Sequence, residues 1–259
     1  MTEREERDGR ATGLPSHADP AIDDDPEVGC IADFPAGSRT ALVAFGGIGR
    51  FGPDPGVAPF EFRGVGASID GATVYLRDPS RTWYRSGVPG LGPDPDTAIA
   101  ALGALLERNR IERSVFTGVS AGGFAALWYG SVLGVDVVHA FVPQTSVGLS
   151  GRLMARDRRY RPNIRRMRAA LPRDAGVTDV RPVVARAAAT NVHVHWGDRT
   201  PADGRQARRL QSFEHVQIHE YPGVKHADLA ASLLDSGVLL PMLNGALAGR
   251  SNERGPTRT

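Results

Sequence analysis

A chain of 259 residues with 41% hydrophobic content is long enough for one sizeable α/β domain around a buried core. Its single cysteine, Cys30, excludes an internal disulfide and fits a reducing compartment, and no apolar run reaches membrane-spanning length. The net charge is only +2, and the opening "MTEREERDGR" is charged where a signal peptide needs an apolar stretch, so a soluble, cytoplasmic protein without membrane contact is expected.

Residues 1–26 are polar, rich in Asp, Gly and Pro, and lack apolar periodicity; 250–259 ("RSNERGPTRT") repeat that pattern. Both ends are expected to be disordered and dispensable, leaving one domain over 27–249. "TALVAF" (40–45) reads as a strand ending in glycines, and "ATVYLRD" (72–78) as a second, followed by a loop with Trp83 and Tyr84. Apolar residues at three- and four-residue spacing make 96–110 a helix. "RSVFTG" (113–118) is a strand, "AGGFAALWYGSVLG" (121–134) a helix and "VDVVHAFVP" (135–143) a strand. The stretch 151–168, "GRLMARDRRYRPNIRRMR", is dense in arginine, which supplies nearly all the positive charge because Lys225 is the only lysine. No aromatic stacking pattern accompanies it, so a solvated helical face is expected rather than a nucleic-acid contact. A helix near 179–188, the strand "NVHVHW" (191–196), a helix at 203–211, the strand "HVQIHEY" (215–221) and helices near 226–236 and 238–247 complete the core. Strands alternating with helices in this way imply a mostly parallel central sheet covered by helices on both faces, with sites at the carboxyl ends of its strands.

Ser120 lies just beyond the strand 113–118, in Gly118-x-Ser120-x-Gly122. A sharp strand-to-helix turn strains its central residue and admits only small flanking residues, which is the nucleophile-elbow pattern. The following helix also directs its free amides at charge that develops beside the serine. Such a serine needs a base and an orienting acid, in the chain order Ser, acid, His. Of the seven histidines, His17 lies in the loose N-terminus and His139, His193, His195, His215 and His219 lie in strands. The pair at 193 and 195 shares a strand face without a third ligand at convincing spacing, so no metal is expected. His226 follows the last strand in "YPGVKHADLAASLL" and is the expected base. The acid is expected from "GDRTPADGRQARRL": Asp198 lies directly beyond the strand, whereas Asp203 precedes a helix it could cap, so Asp198 is preferred. The backbone amides of Ala121 and of Gly47, in "AFGGIGRFG", are the expected oxyanion donors.

With "AFGGIG" at the oxyanion position, "GVSAGG" at the elbow, "WGD" before the acid loop and "YPGVKH" at the histidine, the chain resembles α/β-hydrolase-fold proteins from about 38 to 247. It is also similar to bacterial hydrolase-like proteins that carry Pro-Gln-Thr after the fold's sixth strand, here Pro143, Gln144 and Thr145. The wider family's Gly-x-x-Asp pattern would put the acid at Thr200, so this chain departs from it. The resemblance implies a helical cap inserted at about 150–175, whose arginines would rim the pocket and favour anionic substrates. The expected activity is a serine esterase working through a Ser120 acyl-enzyme on a small-molecule acyl substrate, without a cofactor. A thioesterase or acyltransferase acting on a carrier-bound acyl group, and a hydrolase-fold binding protein that has lost catalysis, are the alternatives.

Overall fold

The computed structural model describes residues 22–49, 56–172 and 175–250. Seven strands form one sheet: β1 (Cys30–Asp33), β2 (Thr40–Phe45), β3 (Ala72–Leu76), β4 (Arg113–Val119), β5 (Val137–Phe141), β6 (Asn191–Gly197) and β7 (Val216–Tyr221). Their spatial order is β1-β3-β2-β4-β5-β6-β7, and only β1, paired with β3, runs antiparallel. The chain steps from β2 outward to β3, then returns past β2 to β4. Right-handed crossovers make that reversal a topological switch point, with a crevice at the carboxyl ends of β2 and β4.

Eight α-helices are present among the described residues: α1 (Pro95–Arg108), α2 (Ala121–Leu133), α3 (Leu149–Met154), α4 (Arg161–Ala170), α5 (Arg181–Arg186), α6 (Pro201–Ala207), α7 (Leu229–Asp235) and α8 (Leu239–Leu247). Asp94 caps α1 by accepting from the Thr97 amide at 2.9 Å, Pro95 starts it, and Ala98, Leu102 and Leu105 face the core. By contrast, α2 is apolar on nearly every side, and its residues 121–130 are all buried, as a central helix requires. No single helix among the described residues is long and apolar enough to cross a membrane.

The six expected strands are present, and β1 is an addition. Four residues at the sheet edge give too short a pattern to read as alternation. The strand expected at 135–143 stops at Phe141 because Val142 turns into the left-handed region, at φ 44°.

The expected loose ends divide in two. Residues 1–21 and 251–259 lie outside the described residues. Residues 22–25, however, are tied to the domain through their main chain, although residues 23–26 are exposed. Ile22 is buried, and the carbonyls of Ile22, Asp23 and Asp25 accept from the buried Arg77 guanidinium at 2.6, 2.7 and 2.5 Å. Arg77 also stacks over Phe60, 4.2 Å from the ring centroid. Burial pushes the Arg77 pKa down while the neighbouring Asp23 carboxylate pulls it up, so the carbonyls matter to a cation that has left water. Deleting residues 1–26 should lower the melting temperature by about 5–10 °C, because charge-assisted bonds contribute about 1.5–3 kcal/mol each. A calorimetric scan with an unchanged transition would refute this.

On the sheet itself, the strand histidines form a ladder. His139 stacks on its register partner His193, and His195 on His219, each pair with centroids 4.7 Å apart. Tyr221 Oη lies 3.1 Å from His195 Nδ1, whose Nε2 lies 3.0 Å from His139 Nδ1. A parallel link of 3.1 Å joins His193 Nδ1 to His219 Nε2. The ring nitrogens are thus directed at one another, and no group of three or more His, Cys, Asp or Glu side chains among the described residues could hold a metal ion.

Candidate active site

The elbow is built by backbone contacts. Ser120 sits between β4 and α2 at φ 57° and ψ −112°, a conformation that a non-glycine residue holds only when its surroundings impose it. A β-carbon at Gly122 would come within 1.9 Å of the Phe45 carbonyl oxygen, and one at Gly118 within 2.4 Å of Gly122. Both positions therefore exclude any side chain. The Ser120 amide donates to the Phe141 carbonyl at 2.9 Å, tying the turn to β5.

His226 lies across from it, with Nε2 3.1 Å from Ser120 Oγ. The carboxylate at its other nitrogen belongs to Asp203, whose Oδ2 and Oδ1 lie 2.8 and 2.9 Å from Nδ1. This corrects the expectation of Asp198. That residue is exposed in the turn after β6, and its Oδ1 accepts instead from the Gly223 amide at 2.7 Å, bracing the turn after β7. Nor does Asp203 cap a helix. Thr200 is the N-cap and Pro201 the first residue of α6, which places Asp203 in the first turn, fully buried and turned inward. Thr200, at the family's usual acid position, steadies the base instead, because its Oγ1 accepts from the His226 amide at 3.1 Å.

Three further side chains reach the nucleophile or its partners. Gln144 offers Nε2 to Ser120 Oγ at 2.9 Å. Its Oε1 accepts from Trp83 Nε1 at 3.1 Å, and an indole can only donate, so the amide faces Ser120 with its NH₂ end. Oε1 also lies within reach of the serine proton at 3.3 Å, and His226 Nε2 at 3.1 Å is the nearer and more basic acceptor. Trp83, Tyr84 and Val142 all have positive φ, so the loops carrying this contact are held in strained backbone around the serine. From the cap, Tyr160 Oη lies 3.2 Å from His226 Nε2. Arg159 bridges Asp157 at 2.9 Å and Asp203 at 2.8 Å, and its Nη1 lies 3.2 Å from His226 Nδ1. Both guanidinium and ring N–H are donors, so the closer, acceptor-only Asp203 takes the Nδ1 proton. Burial opposes the Arg159 charge, but the Asp157 and Asp203 carboxylates outweigh it and raise its pKa.

A cavity of about 380 Å³ opens beside Ser120, with Gly47, Ile48, Val57, Glu61, Tyr160 and His226 in its wall. Gly47 lines this cavity, and Ala121 begins α2, where the first amides have no partner within the helix. Gly47 nevertheless directs its N–H at the carboxyl of Glu61, a residue that no sequence motif singles out. Burial lifts the Glu61 pKa to about 7 against the pull of that amide. The cap, expected at 150–175, comprises α3 and α4. Among the described residues none of its arginines lines the Ser120 cavity; Arg152, Arg156, Arg158 and Arg161 line a separate groove of about 520 Å³ with Leu149 and Leu153.

No protein-family model matches the sequence, and no curated sequence does. Solved structures do match: the capsule O-acetyltransferase of Neisseria meningitidis serogroup A superposes with a TM-score of 0.56 at 11% identity, covering 81% of this chain and 91% of that one. Brefeldin A esterase, described as a bacterial homologue of human hormone-sensitive lipase, gives 0.53 at 16% identity over 85% and 73% of the two chains. The chain has the α/β-hydrolase fold. Est1E from Butyrivibrio proteoclasticus, solved with ferulic acid, shares this hydrolase fold with a TM-score of 0.53 at 14% identity, over 85% of this chain and 95% of its own.

Proposed function

We propose that the protein is a serine hydrolase that cleaves a carboxylic ester through a Ser120 acyl-enzyme. The observation that carries this reading is the continuous chain Ser120 Oγ–His226 Nε2 at 3.1 Å and His226 Nδ1–Asp203 Oδ2 at 2.8 Å, on a strained elbow at a strand's carboxyl end. Ser120 Oγ attacks the ester carbonyl while its proton passes to His226 Nε2. Asp203 fixes the Nδ1–H tautomer and stabilises the imidazolium. The oxyanion forms against the amides of Ala121 and Gly47. His226 then protonates the departing alcohol, and a water deprotonated by the same ring releases the acid. Gln144 keeps Ser120 Oγ in line by donating to a lone pair that attack does not use.

Ser120→Ala should reduce p-nitrophenyl ester hydrolysis by at least about a thousandfold, in line with loss of a triad nucleophile. Hydrolysis at the parent rate would sink the proposal. Failure of a fluorophosphonate to label Ser120 would favour a binding protein without catalysis.

A second reading, transfer of an acyl group from a carrier, has its own support. The arginine groove beside the cap offers cations to the phosphates of such a carrier, and the similar capsule O-acetyltransferase has been solved with CoA. Faster turnover of acyl-CoA than of the matching simple ester would favour it.

A further inference from the structure

Glu61 is the acidic residue of the Ser120 cavity, and the hydrolytic mechanism leaves it unused. Its Oε2 is closed to solvent and has no hydrogen-bond partner among the described residues. Native proteins seldom leave a buried carboxyl oxygen bare, and one on a side chain in a cavity wall can be satisfied by a substrate once that side chain turns toward it. The neighbouring walls, Ile48, Val57 and Pro59, are apolar, and among the described residues no Arg or Lys side chain lines the cavity to supply a donor. His226 and Tyr160 face the same space but are engaged with each other and with Ser120, while Tyr84, which senses the Glu61 charge from behind Gly46, gives its hydroxyl to the Gly46 and Leu76 carbonyls.

The place of this carboxyl matters as much as its bareness. The Gly47 amide is directed at it, and a β-carbon at Gly47 would stand 3.2 Å from Oε1 and 3.7 Å from Oε2. The same amide is the oxyanion donor of the mechanism above. A carbonyl oxygen that takes the Gly47 N–H therefore removes a partner from Glu61, and a plain acyl chain gives nothing back. A hydroxyl or ammonium two bonds from the carbonyl carbon does, because it arrives beside the displaced carboxyl.

We infer that Glu61 reads the acyl group, and that the substrate carries a hydrogen-bond donor, hydroxyl or ammonium, on the carbon next to its scissile carbonyl. The inference rests on the ester-hydrolase reading of this cavity. With its titration raised to about 7 by burial, Glu61 meets a hydroxyl in either protonation state and meets an ammonium as the carboxylate.

The test compares methyl butyrate, methyl 2-hydroxybutyrate and methyl 2-aminobutyrate. Binding is measured by isothermal titration to the Ser120→Ala protein, and kcat/KM with the parent. Either donor-bearing ester should bind at least about tenfold tighter than butyrate, and Glu61→Leu in the Ser120→Ala background should bring that ratio below about threefold, the scale of one charged hydrogen bond. Glu61→Gln, the conservative replacement, should keep preference for the hydroxyl ester and lose preference for the amino ester. Equal binding of all three esters, or a ratio that survives Glu61→Leu in a protein with the parent's circular dichroism, overturns the inference. The binding arm does not need Ser120. Donor preference without turnover in the parent therefore upholds the Glu61 role and counts against the hydrolase reading alone.

Discussion

Asp203→Asn should lower kcat for ester hydrolysis on the order of 10⁴-fold with little change in KM, while Asp198→Asn stays within about twofold of the parent. The asparagine preserves shape but can donate to Nδ1, which favours the tautomer that leaves Nε2 protonated toward Ser120. Here the loss is compounded. Arg159 lies 3.2 Å from Nδ1 and 2.8 Å from Asp203, so without the carboxylate the guanidinium would face the imidazolium formed during attack. Asp198 only accepts from the Gly223 amide, and asparagine can do the same. Steady-state kinetics of the two single mutants decide the matter: an inactive Asp198→Asn beside an active Asp203→Asn would overturn the assignment.

Moderate acid should unfold the protein well before carboxylates titrate broadly. His139 and His195 are buried, and burial first, then the neighbouring rings of the ladder, hold their pKa values below the usual imidazole value. His193 is lowered to about 4 for the same two reasons. A ring whose folded pKa is depressed stays neutral in the native state while the unfolded chain takes up a proton. Stability is therefore fully present above the unfolded pKa of about 6.5 and falls as pH drops toward 4, at about 1.4 kcal/mol per pH unit for each such ring. For His139 and His195 the loss has the same sign and grows as pH falls below about 6.5. Urea denaturation at pH 7 and pH 5 reads it directly, and an unchanged midpoint would show that the ladder accommodates protons.

Much of this site is legible in the sequence because its parts depend on local chemistry. Gly118 and Gly122 mark the elbow since the fold admits no β-carbon at either, and His226 is marked by its place between the last strand and a helix. The carboxylate beside His226 was missed because Asp203 resembles a cap. The dipeptide Thr200–Pro201 carries the corrective signal: a cap residue followed by proline at the first helical position fixes the helix start, and the third residue of α6 then turns inward. Gln144 was visible within Pro-Gln-Thr but without a role, because its orientation depends on Trp83, distant in the chain and held in a strained turn. Glu61 gave no signal. Its meaning arises only when the loop after β2 and the residues preceding β3 meet over Gly47. The edge strand β1 and the binding of residues 22–25 to Arg77 are likewise long-range pairings that no short window contains.

The near-contact of Gly122 with the end of β2 also bears on how such a chain can change over time. The turn at Ser120, the helix α2 and the loop after β2 interlock through main-chain atoms, with 1.9 Å between a would-be methyl at Gly122 and the Phe45 oxygen. Single substitutions in this wedge have almost nowhere to go. Gln144, Arg159, Tyr160 and Glu61 reach the site through their side chains, and side chains can be exchanged one at a time. On the proposed reading, changes of selectivity have room in the side chains around the cavity, while Gly118 and Gly122 admit no side chain at all.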